Sequence, residues 1–330
     1  MTKKQYLLTL CAVLKAKFLG KGTPLIINWA ITYKCNNQCN YCKVWQQNVP
    51  ELPTGQVFKL IDLLHKKNTV LINFTGGEPL MRVDISDILS YVAKEGIGIV
   101  LSTNGLLLRE KESVLDNVQL VKLSFDGPLN IHDGIRGKGS FAKVMQAIKI
   151  VKQSKARLLL CSVLSRYNLD SIDYILNMAK KLNSPIFFQP ATEKILGSFE
   201  NNPAFFEINA YCQAITKLLR LKKTKSLGKY IANSATGLKY LYNWPDVEAI
   251  RCAAGLIFGH ISADGYLMRC ARNSNSCELE KLNVVNDFSK SFGMLKNYKH
   301  VPCLCPGMLE CNYLFDFNLD AAANLIKLIF

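Results

Sequence analysis

From residue 25 onward, short and almost unbroken apolar runs alternate with segments whose apolar residues fall three and four apart. The runs are PLIINWAI, VLINF, IGIVLS, LVKLSF, RLLLCSV and PIFFQ. Strands so uniformly apolar belong in a parallel sheet covered on both faces. Between them, TGQVFKLIDLLHKK, VDISDILSYVAKEG, the stretch after Arg109, SFAKVMQAIKIVKQ and LDSIDYILNMAKKL read as crossover helices. Thr54 and Asp170 are the expected N-caps, and Gly96 the expected helix terminator. This order of elements predicts an α/β fold on a parallel sheet or barrel. In such folds, sites gather in the loops that leave the strand ends.

The unusual residues lie in those loops. CNNQCNYC follows the first strand and brings Cys35, Cys39 and Cys42 together; TGGEPL follows the second, STNG the third and DGPLNIHDGIRGKGS the fourth. One ligand site touching several strand ends is the economical explanation. After about Pro190 the alternation stops. Residues 203–223 and 228–243 have helical patterns, and Pro245 closes the second. IFGHISADGYLMRC then reads as a hairpin turning at Asp264-Gly265, with Cys252 before it and Cys270 at its end. A last group, CLCPGMLEC, holds Cys303, Cys305 and Cys311.

No run of apolar residues is long enough to cross a bilayer, and the N-terminus lacks a cleavage site, so the expected location is cytoplasmic. In a reducing compartment, twelve cysteines in 330 residues argue for metal or redox chemistry over disulfides. A hydrophobic content of 49% excludes a disordered chain. The net charge of +16 suits an anionic partner, but the lysines do not concentrate beside the cysteines and no nucleic-acid motif is present, so no nucleic acid is expected. TKKQYLLTLCAVLKAKFLGKG carries five lysines and no acid. It reads as a basic amphipathic helix, suited either to peripheral contact with an anionic membrane or to packing on its own domain.

Structural zinc sites usually draw four ligands in pairs, which a triplet does not match. Three thiolates on a 4Fe-4S cluster leave one iron open to another ligand. CxxxCxxC after the first strand of an α/β domain, with Tyr41 before the last cysteine, resembles the signature of the radical S-adenosylmethionine (SAM) superfamily. The resemblance implies a partial (β/α)6 TIM-like barrel, a 4Fe-4S cluster on Cys35, Cys39 and Cys42, SAM at the open iron, and an electron donor such as flavodoxin or ferredoxin. It implies that Gly76, Gly77 and Glu78 hold the ammonium of SAM. Ser102 and Asn104 match positions that contact ribose or methionine carboxylate in relatives, Ser124 and Asp126 lie at the next strand end, and Arg136 matches an arginine that reaches SAM or substrate. His132 and Asp133 are read as loop residues without a catalytic part.

Cys252, twelve residues, Gly265, four residues and Cys270 resemble the opening of a SPASM or twitch domain, which adds auxiliary iron-sulfur clusters to such a barrel. The spacer between Cys303 and Cys305 is short for that family, and Phe315 stands where a further cysteine is expected. One auxiliary 4Fe-4S cluster follows, on Cys252, Cys270 and two of Cys303, Cys305 and Cys311; zinc or free thiols are the other reading. Cys277 is a spare, and Cys11, Cys161 and Cys212 are read as small buried hydrophobes. The expected divisions are an N-terminal helix (1–24), the barrel (25–195), a helical connection (196–250), the auxiliary domain (251–315) and an apolar tail (316–330). The expected activity is hydrogen abstraction from a small molecule, lipid or cofactor precursor. Peptide maturation is the alternative, and a zinc-binding interaction module the alternative of another class.

Overall fold

The computed structural model describes residues 3–247, 250–270, 282–297 and 302–329. Helix α1 (Lys3–Leu19) precedes β1 (Ile26–Thr32), after which α2 (Thr54–Lys66), β2 (Leu71–Gly76), α3 (Ile85–Lys94) and β3 (Gly98–Thr103) alternate. Then come β4 (Leu120–Ser124), α4 (Leu129–Arg136), α5 (Ser140–Gln153), β5 (Arg157–Leu164), α6 (Ile172–Lys181) and β6 (Ile186–Pro190). The C-terminal part holds α7 (Ile208–Lys222), α8 (Ala235–Tyr242), β7 (Phe258–Ile261), β8 (Tyr266–Met268), β9 (Leu282–Asn283), α9 (Val284–Met294), α10 (Pro306–Phe315) and α11 (Leu319–Ile329).

All six expected strands form, and they pair in parallel in chain order from β1 to β6. Helices cover one face: Trp29, Phe74, Leu101 and Leu123 pack with Leu64, Ile88, Ile148 and Ile175. The other face lines the concave interior of the partial barrel. Its floor is a separate apolar cluster of Val100, Leu120, Leu159, Phe187 and Ala232. Above that floor the lining turns polar, and Ser102 Oγ donates to Asn73 Oδ1 while Asn73 Nδ2 donates to Asn28 Oδ1, both at 2.8 Å.

The sheet does not end where the barrel was expected to end. Strand β7 pairs in parallel with β1, opposite Ile26 to Trp29, and β8 and β9 continue antiparallel beyond it. The hairpin with the C-terminal cysteines is therefore an extension of the barrel sheet. Its turn places only Gly265 at positive φ, +81°, and the Gly265 amide donates to Ser262 O, the three-residue arrangement that twists like its strands.

Several local expectations are corrected. Thr54 is the first residue of α2, capped by Pro53, and its hydroxyl donates to Asp84 at 2.5 Å. Asp170 lies in a short 3-10 turn and α6 begins after Ser171. After Arg109 the chain makes only a 3-10 turn, Glu112–Asp116, whereas a helix, α4, occupies the expected fourth loop. Gly96 ends α3 as expected, at φ +71°. The C-terminal tail is helix α11, tied down where Thr236 N–H donates to Asp320 at 2.9 Å and Asn324 donates to Ala232 O.

Helix α1 is not amphipathic in the expected sense. Its small residues Ala12 and Ala16 face the protein, packing with Leu25, Ala254 and Phe315, while Leu10, Leu14, Phe18 and Leu19 face outward.

Candidate metal centre

The loop CNNQCNYC is tied to every neighbouring strand end. From the β2 side, Gly77 N–H donates to Thr32 O and Glu78 N–H to Lys34 O, each at 2.8 Å. The approach leaves no room for side chains: a Cβ on Gly76 would lie 2.1 Å from Thr32 O, and one on Gly77 2.2 Å from Lys34 O. Gly76 also has φ +125°, so its glycine is required twice over. From the β3 side, Asn104 Nδ2 donates to Asn36 Oδ1 at 2.9 Å and stands 3.8 Å from Cys35 Sγ. From the α4 side, Asn40 N–H donates to Ile135 O at 3.2 Å. The exit is fixed by Lys43 N–H on Leu196 O at 2.7 Å.

Beneath the loop lies a buried polar cluster. Asp126 is fully enclosed; its Oδ2 accepts from Arg136 Nε at 2.7 Å and from the Tyr41 hydroxyl at 3.1 Å, and its Oδ1 from Val163 N–H at 2.9 Å. Arg136 Nη2 also meets the Tyr41 hydroxyl at 2.5 Å, and Nη1 lies 3.8 Å from Cys39 Sγ. A buried charge pair with both carboxylate oxygens engaged holds its geometry firmly. Tyr41, Asp126 and Arg136 thus fasten the cysteine loop to the ends of β4 and α4.

Glu78 has its carboxylate turned inward. Oε1 accepts from Leu80 N–H at 3.1 Å and Thr103 Oγ1 at 2.7 Å, and Oε2 from Asn104 N–H at 2.7 Å. Burial nevertheless pushes its pKa up to about 7. Its carboxylate thus orients the backbone of the β3 loop through Thr103 and Asn104. Ser102 is engaged by Asn73 within the barrel, and Ser124 ends β4 in register with Cys161. His132 accepts from Asp126 N–H at 3.2 Å, and burial lowers it to about 4, so it is a neutral structural residue. Asp133 accepts from Gly139 N–H and Phe141 N–H, both at 2.7 Å, and so caps α5.

The three thiols are pushed up by burial, Cys35 to about 12 and Cys42 to about 11, while the guanidinium of Arg136 opposes the rise at Cys39. Such thiols stay protonated until a metal displaces the proton. Asn37 Nδ2 and Asn40 Oδ1, both in this loop, are buried without a hydrogen-bond partner. Three soft donors and two unused polar atoms in one rigid loop fit an iron-sulfur cluster with further ligand atoms close by.

The C-terminal cysteines divide. Burial pushes the Cys303 thiol well up, and the thiols of Cys305, Cys270 and Cys252 add to the rise. Cys311 instead lies buried on α10 among Met308, Phe315 and Ala12. Beside Cys252, Asn312 Oδ1 accepts from Ala253 N–H at 2.9 Å while its Nδ2 is buried without an acceptor, a donor of the kind that cluster sulfur uses. Among the described residues, no three Cys, His, Asp or Glu side chains close around a single ion. Cys277 lies outside the described residues. Cys11 is exposed and Cys212 half-buried, so neither is the buried hydrophobe expected; Cys161 lies on the interior face of β5, half-buried against the barrel floor.

Sequence reasoning passes over Lys122, Asn73 and Asn28. Their signal was a polar residue at alternate positions of otherwise apolar strands, which places them on the interior face.

Residues 29–179 match the family model described as the radical SAM superfamily. Among curated proteins, the chain is 32% identical over 176 residues to an AdoMet-dependent heme synthase of Oleidesulfovibrio alaskensis, covering 50% of this chain and 45% of that protein. It is 29% identical over 175 residues to the mycofactocin maturase MftC of Mycolicibacterium smegmatis, covering 51% and 44%. The chain thus spans about half the length of the curated relatives it matches. Among solved structures, Streptococcus suis SuiB aligns with a TM-score of 0.68 at 14% identity, over 88% of this chain and 72% of that one. Native anSMEcpe with bound AdoMet and a peptide aligns with a TM-score of 0.64 at 18% identity, over 93% and 99%. At these identities the likeness is one of fold.

Proposed function

We propose, for a chain whose residues 29–179 form a radical SAM domain, that it is an enzyme that cleaves SAM reductively and abstracts a hydrogen atom from a small-molecule, lipid or cofactor-precursor substrate. The observation that carries this reading is the joining of Cys35, Cys39 and Cys42 to the Gly76-Gly77 turn, Asn104 and Arg136 in one rigid cradle. When bound, the cluster supplies the electron that splits SAM into methionine and a 5'-deoxyadenosyl radical. The protein orients and shields. Gly76 and Gly77 bring the β2 end against the loop, Arg136 offers N–H groups to the Cys39 sulfur, and the polar interior above the apolar floor receives the substrate. Residues 251–315 form the auxiliary domain, with one cluster on Cys252, Cys270, Cys303 and Cys305. An electron donor of the flavodoxin or ferredoxin type completes the system.

The heme synthase likeness favours a cofactor precursor. Peptide maturation is the second reading, favoured by the likeness to mycofactocin maturase. Anaerobic reconstitution with iron and sulfide tests the metal assignment. About eight irons per chain with broad visible absorption are expected for two 4Fe-4S clusters; stoichiometric zinc with no visible absorption would leave a zinc-binding module instead.

The outward face of α1 supports peripheral contact with an anionic bilayer. No helix among the described residues is long and apolar enough to cross a membrane. Leu10, Leu14 and Phe18 form one stripe four residues apart, 55%, 37% and 71% exposed, and Phe317 stacks on Phe18 with ring centroids 6.3 Å apart. Leu319 is 84% exposed, and Lys15 and Lys21 are exposed on an acid-free segment. Large apolar residues outside and lysines beside them suit the boundary between headgroups and acyl chains. Flotation with phosphatidylglycerol vesicles, lost in Leu14→Asp/Phe18→Asp, is expected; equal flotation of both proteins contradicts the contact.

A further inference from the structure

Lys122 is a cation placed inside the barrel. It occupies the middle of β4, in register with Ser102 on β3 and Leu159 on β5, and so shares their interior face. Val100, Leu120, Leu159 and Phe187 form the apolar floor beneath it. Its side chain reaches across the interior to the first turn of α10, where a Cβ on Gly307 would lie 3.7 Å from Nζ. Gly307 stands two residues after Cys305 and four before Cys311.

A half-buried ammonium calls for an anion, because its desolvation is otherwise uncompensated. Among the described residues, none forms an ion pair or hydrogen bond with Nζ. Of the nearby acids, Asp126 pairs with Arg136, and Glu310 gives Oε1 to Ser234 N–H at 2.8 Å while its Oε2 is buried without a hydrogen-bond partner; neither forms an ion pair with Nζ. Of the remaining groups facing the ammonium, Ser102 gives its hydroxyl to Asn73, and Cys161 and Cys311 are thiols whose acidity the ammonium raises against the effect of burial. The Cys305 thiol acts on both in the opposite sense, against their ionisation. The ammonium thus acts on two thiols, Cys161 on the neighbouring strand and Cys311 on the helix whose first turn follows Cys305.

We propose that Lys122 is the barrel's counter-charge to a cluster on Cys252, Cys270, Cys303 and Cys305, stabilising its reduced state and so setting its potential. The proposal rests on the assignment of that cluster made above. Reduction adds one negative charge to a group already rich in thiolate, and a fixed ammonium across the interior favours the more negative state. Lys122 would therefore be a positioning residue for charge and would tie the electronic state of the C-terminal domain to the barrel in which the substrate lies.

The test uses the full chain carrying Cys35→Ala, Cys39→Ala and Cys42→Ala, reconstituted with iron and sulfide, so that only the C-terminal cluster reports. Its midpoint is read by electron paramagnetic resonance during titration with dithionite. Lys122→Met should lower the ratio of reduced to oxidised cluster about tenfold at a fixed ambient potential, a midpoint about 59 mV more negative for a one-electron couple. Lys122→Arg should restore the original midpoint, and Lys122→Gln serves if the Met variant does not fold. An unchanged midpoint in a folded variant lacking the charge overturns the role of Lys122 alone. A folded background protein that binds no iron overturns the cluster assignment and the proposal with it.

Discussion

Arg136 Nη1 lies 3.8 Å from the sulfur of Cys39, while Nε of the same guanidinium donates to the buried Asp126 at 2.7 Å. The ligand loop is therefore held by a charge pair rooted in the barrel. Arg136→Met would leave Asp126 enclosed without its cation, a change that costs about 3–5 kcal/mol when one partner of a buried pair is removed. Urea unfolding should register this loss. Arg136→Met/Asp126→Asn should cost less than the sum of the two single changes, because neither charge is then stranded.

Gly76→Ala and Gly77→Ala should each destabilise the chain by at least about 1–3 kcal/mol, since the new Cβ meets main-chain oxygen that cannot move alone. Gly134→Ala is the control. It lies within α4 with nothing within 4 Å of its added Cβ, and should stabilise by up to about 1 kcal/mol. Thermal or urea midpoints of the three variants check both signs.

Glu78 gives a pH signature. Its pKa is pushed up to about 7 by burial, against about 4.3 in an unfolded chain. Between those values the folded state keeps a proton that the unfolded state has lost, so this contribution to stability falls as pH rises from about 4.3 through about 7. Glu310, also raised to about 7, acts in the same sense. His132 and His260, lowered to about 4, act oppositely: their contribution is lost as pH falls from about 6.5 through about 4. The offset makes the difference between wild type and Glu78→Gln the observable. Between about pH 4.5 and 7.5 that difference should move by about 3 kcal/mol in favour of the variant. A flat difference would mean that Glu78 titrates as an ordinary carboxylate.

Cys311 and Cys303 should behave differently on substitution. Cys311→Ala removes a thiol from an apolar cluster and should leave reconstituted iron unchanged, whereas Cys303→Ala or Cys305→Ala should lose about four irons per chain. Iron and sulfide analysis decides between these outcomes.

The strands of the barrel were legible because LVKLSF and its counterparts are too apolar for any setting but a doubly covered parallel sheet, and the loops at their ends marked the site. Less legible was whatever depends on packing between distant segments. The hydroxyl of Thr54 is claimed by Asp84, thirty residues away, so cap propensity alone misplaced it. FGHI reads as half of a hairpin, and only the open edge of β1 makes it a seventh parallel strand. The outward face of α1 was hidden because alanine can face a protein as well as leucine can, when the approach is close. Glu78 N–H meets Lys34 O just before the cysteine loop, but the direction of its carboxylate depends on Thr103 and Asn104, which no spacing encodes.

The central claim is that Cys35, Cys39 and Cys42 form the site of reductive SAM cleavage. Its most direct test is the 5'-deoxyadenosine formed when the anaerobically reconstituted chain is given SAM and dithionite. Wild type should produce it and the Cys35→Ala/Cys39→Ala/Cys42→Ala variant should produce none. Formation by the variant at the wild-type rate would contradict the account.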